Sequence, residues 1–125
     1  MTDLDYVLKS FDHPDEVREF PNGRFELVRI AGQVLGRATY EPGWKWSDHV
    51  GPTVGARRCT VEHVGLVLQG TATVAFDDGR VIQLRAGSLF HVSGSPHDSW
   101  VVGEVPYVSL HFLNSDHYAT PQRES

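Results

Sequence analysis

The chain has 125 residues, and since one hydrophobic core is normally complete in about 100 to 150, a single domain over 1–125 is expected, with no room for a second. Hydrophobic residues make up 40%, aromatics 10% and charged residues 22%, which suits a packed core and excludes a disordered or collagen-like chain. Lys+Arg number 11 against 16 Asp+Glu, a net charge of −5, and apart from Arg57-Arg58 the basic residues are scattered, which argues against nucleic acid or an anionic membrane as partner.

The first residues lack the basic region, apolar stretch and cleavage site of a signal peptide. No run approaches the roughly 18 to 20 apolar residues of a membrane-spanning helix, and Cys59 is the only cysteine, so a cytoplasmic protein without disulfides is expected. The first element in chain order is a helical turn: Asp12 can cap it, Pro14 pre-sets it, and it continues over 15–20 until Pro21-Asn22-Gly23 stops it. After Gly23 no segment reads as a helix. Short runs rich in Val, Leu, Phe and Tyr, punctuated by Gly, Pro, Asn and Asp, predict strands over 25–30, 33–40, 59–68, 71–76, 81–84, 89–92, 100–102 and 105–113.

The sharpest local signal is two alternating runs around Asp78-Gly79. That dipeptide tolerates the positive φ angles of a type I′ turn, which predicts a tight hairpin with Phe76 opposite Val81. So many strands in so short a chain predict a sandwich or barrel over about 25–113, preceded by a separate N-terminal element over 1–24 and followed by a polar tail over 114–125 that frays. Nucleophile elbow, phosphate loop, dinucleotide-binding glycine pattern and structural-zinc cysteine pair are all absent. The adjacent carboxylates Asp15-Glu16 and Asp77-Asp78 are explained by helix-start and turn positions.

Two segments carry motif-like spacing. Between Gly55 and Gly70, period-two alternation puts Arg57, Cys59, Val61, His63, Gly65 and Val67 on one face and turns Glu62 away. Farther on, Gly87 leads through Ser93-Gly94-Ser95-Pro96 to His97. These segments resemble the two motifs of the cupin superfamily, small metal-binding β-barrels. Counted back from Gly70, the family's glutamate position holds His63 and its two histidine positions hold Arg57 and Cys59. The second motif reaches His97 one residue early, and its final asparagine falls at Val101. A closer resemblance, from about Pro21 to Leu113, is to a subgroup of small single-domain cupins that carry Pro42-Gly43-Trp44-Lys45-Trp46-Ser47, then a cysteine and a histidine as at Cys59 and His63, then His97-Asp98-x-Trp100.

The resemblance implies an all-β fold, a cupin-type double-stranded β-helix (jelly-roll barrel), here with one short N-terminal helical turn. On that frame the odd-numbered face lines the barrel interior, and Cys59, His63 and His97 converge, with His111 as a further candidate ligand. An S,N,N donor set suits zinc or iron, so one divalent transition metal (Fe, Zn, Mn or Ni) is the implied cofactor. The candidate catalytic residues are His63, His97 and Asp98, the last by fixing a histidine tautomer.

Each candidate has a plainer alternative. A lone inward cysteine is often a small buried hydrophobe. His111 shares a face with Tyr107, Ser109 and Leu113, and that face looks either into the pocket or out to solvent. Trp44, Trp46 and Trp100 either wall a substrate pocket or plug the barrel end or a dimer interface, and alternation sets Trp100 opposite His97. Arg57 meets either a substrate carboxylate or an internal partner such as Asp98. His13, His49, His91 and His117 read as surface residues.

The expected function is a small-molecule metalloenzyme with isomerase, lyase or oxygenase chemistry. One alternative is a metal-free site in which His63 or His97 is the general base and Cys59 a modulating thiol. Another is a non-catalytic ligand-binding or sensory barrel that uses the tryptophans as contacts. The resemblance also implies a homodimer, with 5–11 as an exchanged N-terminal strand.

Overall fold

A computed structural model describes residues 5–120. Its strands are β1 (Glu16–Phe20), β2 (Gly23–Ile30), β3 (Gln33–Tyr40), β4 (His63–Gln69), β5 (Thr71–Phe76), β6 (Val81–Arg85), β7 (Leu89–Val92), β8 (His97–Val102) and β9 (Tyr107–His111). One antiparallel sheet has the order β1-β2-β3-β9-β4-β7 and the other β6-β5-β8. Their inner faces share one core, with Phe25, Leu27 and Val67 from the larger sheet meeting Ala72, Val74 and Val101 from the smaller. The architecture is thus all-β, a two-sheet barrel. Among the described residues no helix is long and apolar enough to cross a membrane.

Turn chemistry sets the registers. Ile30 pairs with Gln33 across Ala31 and Gly32, whose φ angles of 50° and 76° make this the type I′ turn of the molecule. The Asp78-Gly79 hairpin forms, but Val81 faces Ala75 rather than Phe76. Only Gly79 (φ 98°) is left-handed there; its N–H donates to the Phe76 carbonyl and the Phe76 N–H to Arg80, a type I turn followed by a glycine bulge.

The helical segment lies elsewhere than expected. Residues 16–20 are strand β1, because a helix of one or two turns is costly to nucleate whereas the edge of β2 offers a five-residue ladder. The single-turn helices α1 (Trp46–His49) and α2 (Gly51–Val54) follow Gly43 instead; Pro52 starts the second and Gly55, at φ 74°, ends it. Residues 5–10 pair with no strand of this chain and leave Tyr6 and Leu8 exposed.

The expected polar tail folds back over the barrel. After a 3-10 turn at Ser115–His117, Tyr118 inserts its ring and bonds its hydroxyl to that of Tyr40 at 2.6 Å. Arg18 Nη1 reaches the carbonyls of Asp116 and Tyr118 and the Thr120 hydroxyl at 2.9, 2.6 and 2.7 Å. Residues 121–125 lie outside the described residues.

Candidate metal centre

Three strand ends and one bridge bring the candidate ligands together. Cys59 pairs with His97 in an isolated bridge, each N–H donating to the other's carbonyl at 2.9 and 3.1 Å. Four residues on, His63 opens β4 and returns its ring to the cysteine, with Nε2 3.5 Å from Cys59 Sγ. The ligating atoms of Cys59, His63 and His97 all lie within 4.8 Å of one another, and all three residues are buried. His97 Nδ1 donates to the Ser95 carbonyl at 2.8 Å, which fixes the tautomer and leaves the Nε2 lone pair free.

His111, at the end of β9, faces into the same cavity, which settles the choice between pocket and solvent. Glycines oppose it on both neighbouring strands, Gly36 of β3 and Gly65 of β4. A Cβ at Gly65 would sit 2.1 Å from the Leu110 carbonyl oxygen and one at Gly36 2.2 Å from the Phe25 ring, so only glycine lets the rings of Phe25 and Phe90 close on the imidazole at 5.3 and 5.7 Å. His111 Nε2 shares a hydrogen bond with Ser109 Oγ at 2.9 Å, and its Nδ1 has no partner.

The cavity has a volume of about 40 Å³ and no Lys, Arg, Asp or Glu in its lining. Desolvation therefore dominates its electrostatics. Burial, reinforced by the neighbouring His111 and His97, pushes His63 well below the usual imidazole range, and burial lowers His111 to about 4. Burial also lowers His97, opposed by its bond to Ser95, and raises the Cys59 thiol to about 12. At neutral pH the imidazoles are uncharged and the thiol keeps its proton, so the site is neutral. A divalent cation fits this donor set: the imidazoles are uncharged, and the ion takes the place of the proton that Cys59 Sγ and His63 Nε2 share at 3.5 Å.

The other candidates separate. Trp44 and Trp46 are buried and border the cavity, Trp44 stacked on Tyr40 at 3.7 Å. Trp100 lies on the opposite face of β8, with Lys45 Nζ 5.5 Å over its ring, and does not line the pocket. Arg57 is exposed in a bend that breaks the alternation read from sequence, and lies outside the cavity. Asp98 turns away from the histidines: its carboxylate accepts from the Ser47 N–H and hydroxyl at 3.0 and 2.7 Å and from the Ser99 N–H at 2.9 Å, tying α1 to β8. Sequence reading missed Tyr118, whose ring stands 5.4 Å from that of His63; its signal was a large aromatic within an otherwise polar tail.

No protein-family model matches the chain, and no curated protein matches it. Solved structures do. An oxalate decarboxylase from Lactobacillus farciminis, solved as a formate complex, superposes with a TM-score of 0.62 at 15% identity over 90% of this chain and 34% of that one. A Bacillus subtilis oxalate decarboxylase mutant gives 0.61 at 16% identity over 100% of this chain and 32% of the other. A protein of unknown function from Acinetobacter sp. ADP1, of the DUF1255 type, gives 0.56 at 15% over 78% and 90%. This chain therefore spans about a third of the decarboxylases' length. At such identities the likeness shows a fold, and the fold is a cupin-like β-barrel.

Proposed function

We propose that the barrel binds one divalent transition metal through Cys59, His63 and His97 and acts on a small molecule as a metalloenzyme. The observation that carries this reading is the approach of three ligating atoms to within 4.8 Å in a buried cavity, contributed by separate parts of the chain. One thiolate and two imidazoles suit zinc or Fe(II), with manganese or nickel also accommodated. When bound, such an ion polarises a substrate oxygen or activates water, the common requirement of isomerase, lyase and oxygenase chemistry.

The chain's own residues supply the rest. His97 is held in one tautomer by Ser95 and presents its other nitrogen. His111 has an unprotonated ring in the same wall, with Ser109 and then Tyr107 behind it, so it is the residue placed to hold or pass a proton. Tyr118 and Trp46 exclude bulk water from the cavity.

A second reading, a non-catalytic ligand-binding barrel, draws support from the absence of any carboxylate in the cavity lining. Elemental analysis of protein purified without chelator tests the metal. Incubation of the loaded protein with small carbonyl and carboxylate compounds, followed by mass spectrometry, separates the two readings. Conversion of a bound compound supports the enzyme, and its recovery unchanged together with thermal stabilisation supports the binder.

A further inference from the structure

The metal cavity is too small to hold an ion and the body of a substrate together. Its volume is about 40 Å³, and a single water takes about 10–15 Å³ of such space, so an ion with about one or two coordinated atoms fills it. A substrate's bulk must lie outside. A second pocket, of about 220 Å³, adjoins the cavity, and Trp46, Cys59 and Tyr118 line both. One candidate ligand and two aromatic residues therefore form the partition between them. The pocket is built from two distant parts of the chain: residues 54–61, which lead from α2 towards β4, and the folded-back residues 117–120, whose carbonyls Arg18 helps to hold.

The wall selects the ligand. Val54, Ala56 and Val61 offer apolar surface, Thr60 and Thr120 add hydroxyls, and no Asp or Glu lines the pocket. Its charge comes from Arg58; the other basic residue of the lining, His117, has its Nε2 3.8 Å from Asp116. Arg58 Nε donates to Asp77 at 2.8 Å and Nη1 to the Arg57 carbonyl at 2.8 Å, while Nη2 has no partner among the described residues. A guanidinium carries five N–H donors, so more than half of them remain for a ligand. Asp77 is half-exposed and lies outside the lining, and water weakens such a pair. The group that matches a planar pair of N–H donors is a carboxylate, and one arginine calls for one. At about 30 Å³ per liquid water, 220 Å³ is the room of about seven waters, which suits a molecule of roughly six to ten non-hydrogen atoms.

We propose that this second pocket is the substrate subsite of the barrel and takes a small monocarboxylate with an apolar body, its carboxylate on Arg58 and its other end against Cys59 and Tyr118. The binding stands by itself. That the far end reaches an ion past the partition rests on the metal reading above.

The test follows backbone amide shifts by NMR in the nitrogen-15-labelled full chain, metal-free and after incubation with zinc. Benzoate, benzyl alcohol and benzylamine are titrated in turn, since they share one apolar body and differ in charge. Arg58→Gln, Arg57→Gln and Thr60→Trp are run beside the wild type, none of the three residues being buried. Expected is saturable binding of benzoate with the largest shifts at 58–60 and 117–120, and binding of the alcohol and the amine at least about tenfold weaker. Arg58→Gln should weaken benzoate about tenfold and leave benzyl alcohol unchanged, the loss of hydrogen bonds to a charged group. Thr60→Trp, which fills the pocket, should weaken both, and Arg57→Gln, outside the lining, should change neither. No saturation by benzoate below about 10 mM overturns the proposal, as does benzyl alcohol binding as tightly. A loss in Arg57→Gln equal to that in Arg58→Gln reduces the effect to general charge attraction, and unchanged affinity in Thr60→Trp puts the ligand elsewhere; either overturns it. Should a variant fail to fold, the wild-type comparison of benzoate with benzyl alcohol and the location of the shifts still decide. Benzoate binding by a protein that takes up no zinc overturns the metal reading and leaves this pocket standing, whereas zinc uptake without benzoate binding overturns this pocket alone.

Discussion

The barrel buries polar groups in two places and treats them in opposite ways. On the outer face of β2 and β3, Glu26 is 6% exposed, and its carboxylate accepts from Arg37 Nε at 2.8 Å and Nη2 at 3.2 Å, with Arg24 Nε 3.8 Å away. Arg37 also reaches the Phe11 carbonyl and covers the Phe11 ring at 5.3 Å. Among the residues that line the cavity, by contrast, Trp44 Nε1, Trp46 Nε1 and His111 Nδ1 are left without partners, and the group beside them is a protonated thiol. The first region is complete within the chain and is a fold device. The second is complete only with something added, and the binding function is to be sought there.

Replacing members of each region should separate them most widely in metal content. His63→Ala, His97→Ala and Cys59→Ala should each lose nearly all bound metal by elemental analysis. Glu26→Ala should keep it while losing about 2 kcal/mol of stability in denaturant unfolding, because Arg37 is left half-buried without its anion. Metal retained in the histidine variants, or lost equally from Glu26→Ala, would erase the distinction. On the stability side, zinc at about a thousand times its dissociation constant should stabilise the metal-free protein by about 4 kcal/mol. Because uptake expels the proton of a thiol raised to about 12, apparent zinc affinity should climb about tenfold per pH unit across the neutral range. A flat profile would exclude Cys59 as a ligand.

Acid should distinguish the regions next. The His111 imidazole is held at about 4 by burial against an ordinary value of 6.5, so below pH 6.5 the unfolded chain takes up a proton that the folded metal-free protein refuses. Stability is undiminished above pH 6.5 and falls progressively as pH drops towards 4, by about 3 kcal/mol for this residue. Arg37 of the outer network stays charged throughout. The carboxylates that hydrogen bonds and ion pairs hold low, Asp15, Glu16 and Asp78, add to the loss only in the carboxylate range near pH 4, so the part of the slope above it belongs to the cavity histidines. His111→Phe should remove this residue's share of the slope in equilibrium unfolding at pH 7, 5.5 and 4.5 and leave the share of His63 and His97, which burial also lowers, and an unchanged slope in that variant would remove His111 as a source.

How much of this was legible beforehand depended on the range of the interaction involved. Alternation is local, so β3, β5 and β7 read directly from their residues, and the spacing of Cys59, His63 and His97 sufficed once a barrel frame was assumed. Glu16–Phe20 looked helical because Pro14 and the acidic first turn are good local helix signals, and the edge of β2 that overrode them is invisible from inside the segment. Asp78-Gly79 marked a hairpin but not its register, since one extra residue in the turn shifts every pair after it. Arg57 was placed inward by extending alternation through residues that bend instead, and Asp98 was given to the histidines although its partner, Ser47, lies 51 positions away. The same long range hid Tyr118, whose contacts with Tyr40 and Arg18 span 78 and 100 positions.

That segment provides the finest division between the two regions. Arg18 belongs to the outer sheet by position, yet its guanidinium holds the Asp116 to Thr120 segment that closes the cavity, while its Nε donates to Glu16 at 2.7 Å. Arg18→Ala should lower global stability by only about 1–2 kcal/mol, the net worth of such bonds at a half-buried site. Its effect should concentrate where the segment opens, because local openings have free energies of their own. Loss of about 1.4 kcal/mol from closure corresponds to about tenfold faster release of bound zinc to a chelator in stopped-flow. Arg37→Ala, with a similar loss of stability, should leave release unchanged, since none of its partners touches the cavity. Equal acceleration in both variants would mean that release follows global unfolding. Acceleration in Arg18→Ala alone would make the folded-back segment the route to the metal.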